Sequence, residues 1–275
     1  MPDPESQPAI QHVSPVYLAG TAPSVHALRP LQEAGFRQEI DRAGNVRLTS
    51  PRGGHHVDYL PNGLTHALWC IYEAPDRYTP PSWLAEFTTG TPPEVVEALT
   101  TALAKDVHRA RSQRRRPQAD RVLRPLAEAG WHRRENEWEI EFIAPDQLAE
   151  VRYDTTPGHP LDPDYQPWLI HGGRTHDNGY MDWYGAFTTH APTRLVTATV
   201  ERLANTNPVD RAADAVLHPK ATVTTTATRS TAPRAAAARS RTSAGCSSPG
   251  TPESPSPASA QTTGHPTPSR PRLRR

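Results

Sequence analysis

The sequence predicts an α+β fold: a tandem duplication of a small antiparallel sheet of four to five strands, each flanked by an N-terminal and a C-terminal helix. Three observations predict it. The segment Leu28-Arg29-Pro30-Leu31-Gln32-Glu33-Ala34-Gly35-Phe36 returns as Leu123-Arg124-Pro125-Leu126-Ala127-Glu128-Ala129-Gly130-Trp131, 95 residues later. Further landmarks return at offsets of 94 to 100, too long a period for a solenoid repeat and right for a duplicated domain. Within each copy, apolar residues alternate at period two between two stretches of helical period.

Each copy opens on a short helix, 24–34 or 120–129, stopped by Gly35 or Gly130 where a C-terminal glycine belongs. Pro30 and Pro125 inside it imply a late start or a kink. Strands follow. Val46 and Leu48, then Val57 and Tyr59, Trp69 and Ile71, and Trp83, Ala85 and Phe87 each place alternate residues on one face. In copy two, Trp138, Ile140 and Phe142 are expected on one face of the first full strand. Asn62-Gly63 and Ala43-Gly44-Asn45 mark turns. A helix over 92–106 closes copy one, with Thr91-Pro92-Pro93-Glu94 as a capping box and Val95, Val96, Leu99 and Leu103 as its buried stripe. Copy two keeps the stripe at Leu195, Val196, Thr199 and Leu203 but has lost the cap.

The ends read differently. Hydrophobic residues are only 35% of the chain, below the ~45–50% ordinary for a globular sequence, so part of it lacks the means to build a core. All 18 aromatic residues lie at or before Phe187. The expected organisation is a disordered N-terminus over 1–13, copy one over 14–106 and an arginine-rich linker over 107–119. Copy two over 120–206 and a disordered Ala/Thr/Ser/Pro/Arg-rich tail over 207–275 complete it. Apolar runs too short for a membrane span and the lack of a secretory leader make a cytoplasmic protein the expectation. Two distant cysteines, Cys70 and Cys246, give no disulfide framework.

A Ser-Pro corner, a strand ending in an aromatic, a tryptophan strand, then Trp-x-x-x-Phe-Thr-x-x-x-Pro entering a helix resembles the SPDY-domain family. Here these are Ser50, Pro51, Tyr59, Trp69, Trp83, Phe87, Thr88 and Pro92. In copy two they are Pro145, Asp146, Tyr153, Trp168, Trp183, Phe187, Thr188 and Pro192. The resemblance covers roughly residues 14–205. It implies an actinobacterial lineage and tandem copies, and no assigned activity. Arg52 stands where the family has aspartate and Ala144 replaces the serine, so no hydrogen-bonding role is expected for that corner.

Duplication supplies an internal control on candidate chemistry. Cys70 corresponds to Leu169, which makes it an apolar filler rather than a nucleophile. His55 and His56 correspond to Ala149 and Glu150 and point to opposite faces, against a shared metal. His171, His176 and Asp177 fit no zinc spacing, and Asp162 and Asp164 read as solvated turn carboxylates. The six tryptophans, at period two, read as core. No cofactor, metal or catalytic residue is expected.

Charge separates along the chain beneath a total of +1: residues 14–105 carry −2, 106–121 carry +4, 122–205 carry −6 and 206–275 carry +7. Arg109, Arg111, Arg114, Arg115 and Arg116 concentrate the linker's charge and are candidate nucleic-acid contacts. No aromatics are interleaved there for base stacking. The expected function is a non-catalytic protein-interaction or binding module. The alternative is a nucleic-acid-associated protein using the basic linker and tail; an enzyme with a site between the copies ranks third.

Overall fold

A computed structural model describes residues 10–63, 66–106, 119–156, 165–173 and 182–225. Copy one supplies α1 (Val25–Glu33), five strands, β2 (Arg37–Ile40), β3 (Val46–Thr49), β4 (His55–Tyr59), β5 (Ala67–Glu73) and β6 (Trp83–Thr88), and α2 (Pro93–Asp106). Copy two repeats this order with α3 (Ala119–Glu128), β7 (His132–Glu135), β8 (Glu139–Ile143), β9 (Ala149–Asp154), β10 (Trp168–Gly172), β11 (Trp183–Phe187) and α4 (Thr193–Ala204). The fold is α+β, with four helices and antiparallel sheets among the described residues.

The ten strands form one sheet in the order β2-β3-β4-β5-β6-β11-β10-β9-β8-β7. Two five-stranded meanders therefore join through β6 and β11, with Phe87 opposite Gly185 and Ala85 opposite Phe187. The helices pack in the order α1, α2, α4, α3, and their apolar stripes share one core cluster with the inward strand residues of both copies. A boundary between residues 106 and 120 thus divides the sequence but not the core, and the described residues of both copies belong to one compact unit.

The short helices end as their glycines dictate. Gly35 and Gly130 take φ of 81° and 79°, the left-handed region that a β-carbon disfavours. Phe36 N–H then donates to Leu31 O and Gly35 N–H to Gln32 O, both at 3.0 Å, which is a Schellman closure. Trp131 and Gly130 repeat it on Leu126 and Ala127. Pro30 and Pro125 stay inside their helices. The expected capping box does not form: α2 starts at Pro93, the Thr91 hydroxyl donates to Thr88 O, and Glu94 is engaged elsewhere.

Trp138 corrects another expectation. It lies before β8 and is 60% exposed, because Asn136 Oδ1 accepts from the N–H groups of Trp138 and Glu139 and turns the chain there. Ile140 and Phe142 are buried as the alternation requires, so five of the six tryptophans are core. The Ser-Pro corner does hydrogen-bond, against expectation, each copy using the half it retains. Ser50 Oγ donates to Gly53 O at 2.8 Å and accepts from His55 N–H. In copy two, Asp146 accepts from Leu148 N–H and, at 2.9 Å, from the Tyr17 hydroxyl.

Both ends of the chain were expected to be loose, and both contribute strands. β1 (Ile10–Ser14) lies between β12 (Val209–Ala212) and β13 (Thr222–Thr225) in a separate three-stranded sheet. A single 3-10 turn, Val16–Leu18, follows β1 and is buried. Its Tyr17 sits edge-on to Trp131, and Tyr17 O accepts the Trp183 indole N–H at 3.1 Å. That indole can turn this way because its strand neighbour is Gly172, where a β-carbon would stand 2.4 Å from the ring. The corresponding pair in copy one is Trp83 with Glu73, whose carboxylate accepts the indole N–H itself at 3.0 Å.

Arg211 is the reason the tail docks without aromatics. It is 3% exposed and makes a bidentate pair with Glu94 at 2.5 and 2.7 Å. Its Nε donates to Ala19 O at 2.9 Å, so one guanidinium ties the tail to α2 and to the N-terminal segment. Removing one member of such a buried pair strands the other charge, a cost of about 3–5 kcal/mol. We expect Arg211→Met to lower the urea midpoint accordingly, and a chain ending at Asn207 to lose at least as much. Unchanged midpoints in both would show that β12 does not dock.

Candidate functional site

Strand alternation sorts the ten-stranded sheet into two faces. The inner one repeats between copies: Val57 and Val151, Tyr59 and Tyr153, Trp69 and Trp168, Ile71 and Ile170, Trp83 and Trp183, Phe87 and Phe187. The tyrosine and tryptophan rings meet at 4.5 Å in copy one and 4.3 Å in copy two. The SPDY-like aromatics are therefore core.

On the outer face no described helix packs, and six matched positions differ. His56, Asp58, Cys70, Tyr72, Leu84 and Glu86 in copy one correspond to Glu150, Arg152, Leu169, His171, Tyr184 and Ala186 in copy two. Sequence reasoning singled out Cys70 and His56 from this face for metal or nucleophile chemistry, and His171 for metal. It missed Asp58, Tyr72, Tyr184 and Arg152. The signal was present as the polar phase of the same alternation whose apolar phase named the core.

The copy-one half is a connected cluster. His56 stacks on Tyr72, ring centres 5.0 Å apart, and its Nε2 lies 3.3 Å from Ala74 O. The Tyr72 hydroxyl points to Asp58 at 3.5 Å. Arg77, from the β5–β6 loop, reaches across to Glu39 at 3.1 Å. Burial pushes the Asp58 carboxyl above the usual range, although Arg47 and Arg77 pull it down. Burial, then Glu86 and Asp58, push the Cys70 thiol up to about 12. Cys70 is half-buried on the outer face, not the core filler expected, and its surroundings disfavour the thiolate.

In copy two, His171 lies beside Tyr184, which is 40% exposed, and Arg152 pairs with Glu139 at 3.7 Å. His55, pointing inward, lies against Trp83. No group of three or more His, Cys, Asp or Glu among the described residues could hold a metal ion. Arg109, Arg111, Arg114, Arg115 and Arg116 lie outside the described residues, as do His176, Asp177, Asp162, Asp164 and Cys246.

Between the two halves the family threonines form a reciprocal clamp. Thr188 Oγ1 accepts from Leu84 N–H at 2.9 Å and lies 3.3 Å from Leu84 O; Thr88 Oγ1 does the same to Tyr184, at 2.9 and 3.2 Å. On the inner side Phe87 and Phe187 meet edge to face at 5.7 Å.

This repeated aromatic and threonine pattern coincides with a family model, SPDY, a domain of unknown function (DUF317), which matches residues 49–107 and 143–209. The chain carries the SPDY domain twice. Each SPDY match starts at the Ser-Pro corner or its counterpart and runs through the helix after Phe-Thr-Thr, leaving outside it the first helix and the first two strands of the copy but for the last residue of the second. No curated protein and no solved structure matches the chain. No described helix is long and apolar enough to cross a membrane.

Asp58 yields a pH test with a definite sign. Its raised folded pKa means that the folded state holds the proton more tightly than the unfolded one. Stability therefore falls as pH rises from the ordinary carboxylate range through the raised value. Asp58→Asn should resist urea better than wild type at pH 7, with the difference closing in acid. A variant weaker than wild type at pH 7 would mean that Arg47 and Arg77 outweigh burial.

Proposed function

We propose that the chain is a non-catalytic protein-interaction module, built by duplication of one helix–sheet–helix unit, whose contact surface is the outer face of the ten-stranded sheet. One observation carries the reading: the large inward side chains are repeated between copies while six matched outward positions differ. A face serving only to be wetted has no reason to gather Tyr72, His56, Cys70, Leu84 and Tyr184 beside charged neighbours. Surfaces that bind are enriched in such aromatic and adaptable groups. The raised thiol pKa of Cys70 favours binding over catalysis there, since burial disfavours the reactive thiolate.

A photo-crosslinking side chain placed at Tyr184, with a control at exposed Arg124 on α3, tests this in lysate of the source cell. The expected result is a discrete protein adduct from position 184 alone, competed away by excess unlabelled chain. Equal adducts from both positions would overturn it. Nucleic-acid adducts abolished by changing Arg114, Arg115 and Arg116 to Ser would favour the nucleic-acid reading instead.

A further inference from the structure

The hydrogen-bond register draws one straight row of outer-face residues across all ten strands. From the free edge of copy one to the seam it runs Glu39, Arg47, Asp58, Cys70, Glu86. It continues from the free edge of copy two to the seam as Arg134, Glu141, Arg152, Leu169, Ala186. Read from edge to seam, the two halves are opposite in charge at the first three places. Glu39 corresponds to Arg134, Arg47 to Glu141 and Asp58 to Arg152, with Cys70 matching Leu169. Opposite charges on neighbouring strands account for the alternation within each half. They do not require the second half to run in the reverse phase.

We propose that the partner of the outer face is a second copy of this chain, docked face to face about a two-fold axis that runs midway between the two sheets, parallel to the strands and over the β6–β11 seam. This rests on the reading of that face as a contact surface and names its occupant. Such an axis lays copy one of one molecule over copy two of the other. Each charge in the row then meets its opposite, twice over by symmetry, and Cys70 meets Leu169. Ten strands ~4.8 Å apart and about five residues deep offer roughly 700 Å² per partner, or ~1,400 Å² in total. That lies within the ~1,200–2,000 Å² of stable interfaces. Two twisted sheets stack in this way at about −30°.

Sedimentation equilibrium of the full chain tests it. Wild type should have twice the mass of the chain at low salt and dissociate as salt rises, because exposed charges are screened. Arg134→Glu and Glu39→Arg, both at exposed edge positions, should each bring like charges together twice and weaken self-association at least tenfold. At concentrations where wild type is also monomeric, their urea midpoints should match its own. Mixing the two variants should restore a dimer, since each juxtaposition becomes attractive again. Within one molecule these residues lie at opposite edges, nine strand spacings or about 43 Å apart, so an intramolecular effect cannot mimic the rescue. A wild type that stays monomeric, or a dimer indifferent to both reversals, would overturn the inference. A monomer that still gives the discrete adduct from position 184 would leave the contact-surface reading standing and remove the second copy as its partner.

Discussion

The pairing of β6 with β11 is the constraint on which the rest of the structure depends. A five-stranded meander standing alone would present its last strand as an open edge, with unpaired N–H and C=O groups ready to recruit another chain. Here each copy covers the other's edge. Thr88 and Thr188 extend the ladder with their side chains, each taking an N–H and approaching a C=O of the opposite strand. Hydrogen bonds of this kind are worth about 1 kcal/mol each, and the Phe87–Phe187 edge contact adds ~0.5–1.5 kcal/mol. With the strands so fixed, α2 and α4 must lie side by side, and Asp106 of one pairs with Arg194 of the other in a buried contact between copies.

Symmetry ends where the chain termini attach. The buried turn after β1 lies against Trp131, Asp146 and Trp183 of copy two, and Gly172 leaves room for the Trp183 indole to reach it. Copy one uses the Glu73 carboxylate on Trp83 instead. The same framework thus supports two different indole environments, and the outer face, free of core packing, diverges further. Conservation of the inner face and divergence of the outer are two results of one geometry. Inward residues answer to volume and outward residues to whatever they meet.

The inner face was legible in the sequence because period-two alternation of large aromatics, seen twice, admits one reading. Trp138 was misplaced by the same rule: it extends the alternation of Ile140 and Phe142 by one step, but Asn136 ends the strand before it. The seam left no local signal, since a long-range pairing between two like strands is compatible with either separate or merged sheets. β12 was invisible for another reason. In Val209-Asp210-Arg211-Ala212 the inward residues are Val209 and Arg211, and an inward arginine looks solvated until its partner, Glu94, is known to be 117 residues away. Asp146 and Ser50 were discounted because the copies break the corner differently, whereas each half can brace its own turn.

Differential scanning calorimetry of the full chain tests the merged sheet most directly. If the seam makes the two copies one cooperative unit, the calorimetric and van't Hoff enthalpies should agree within error across a single transition. Two resolved transitions, or a calorimetric enthalpy about twice the van't Hoff one, would show that the copies unfold independently and that the seam does not govern the fold.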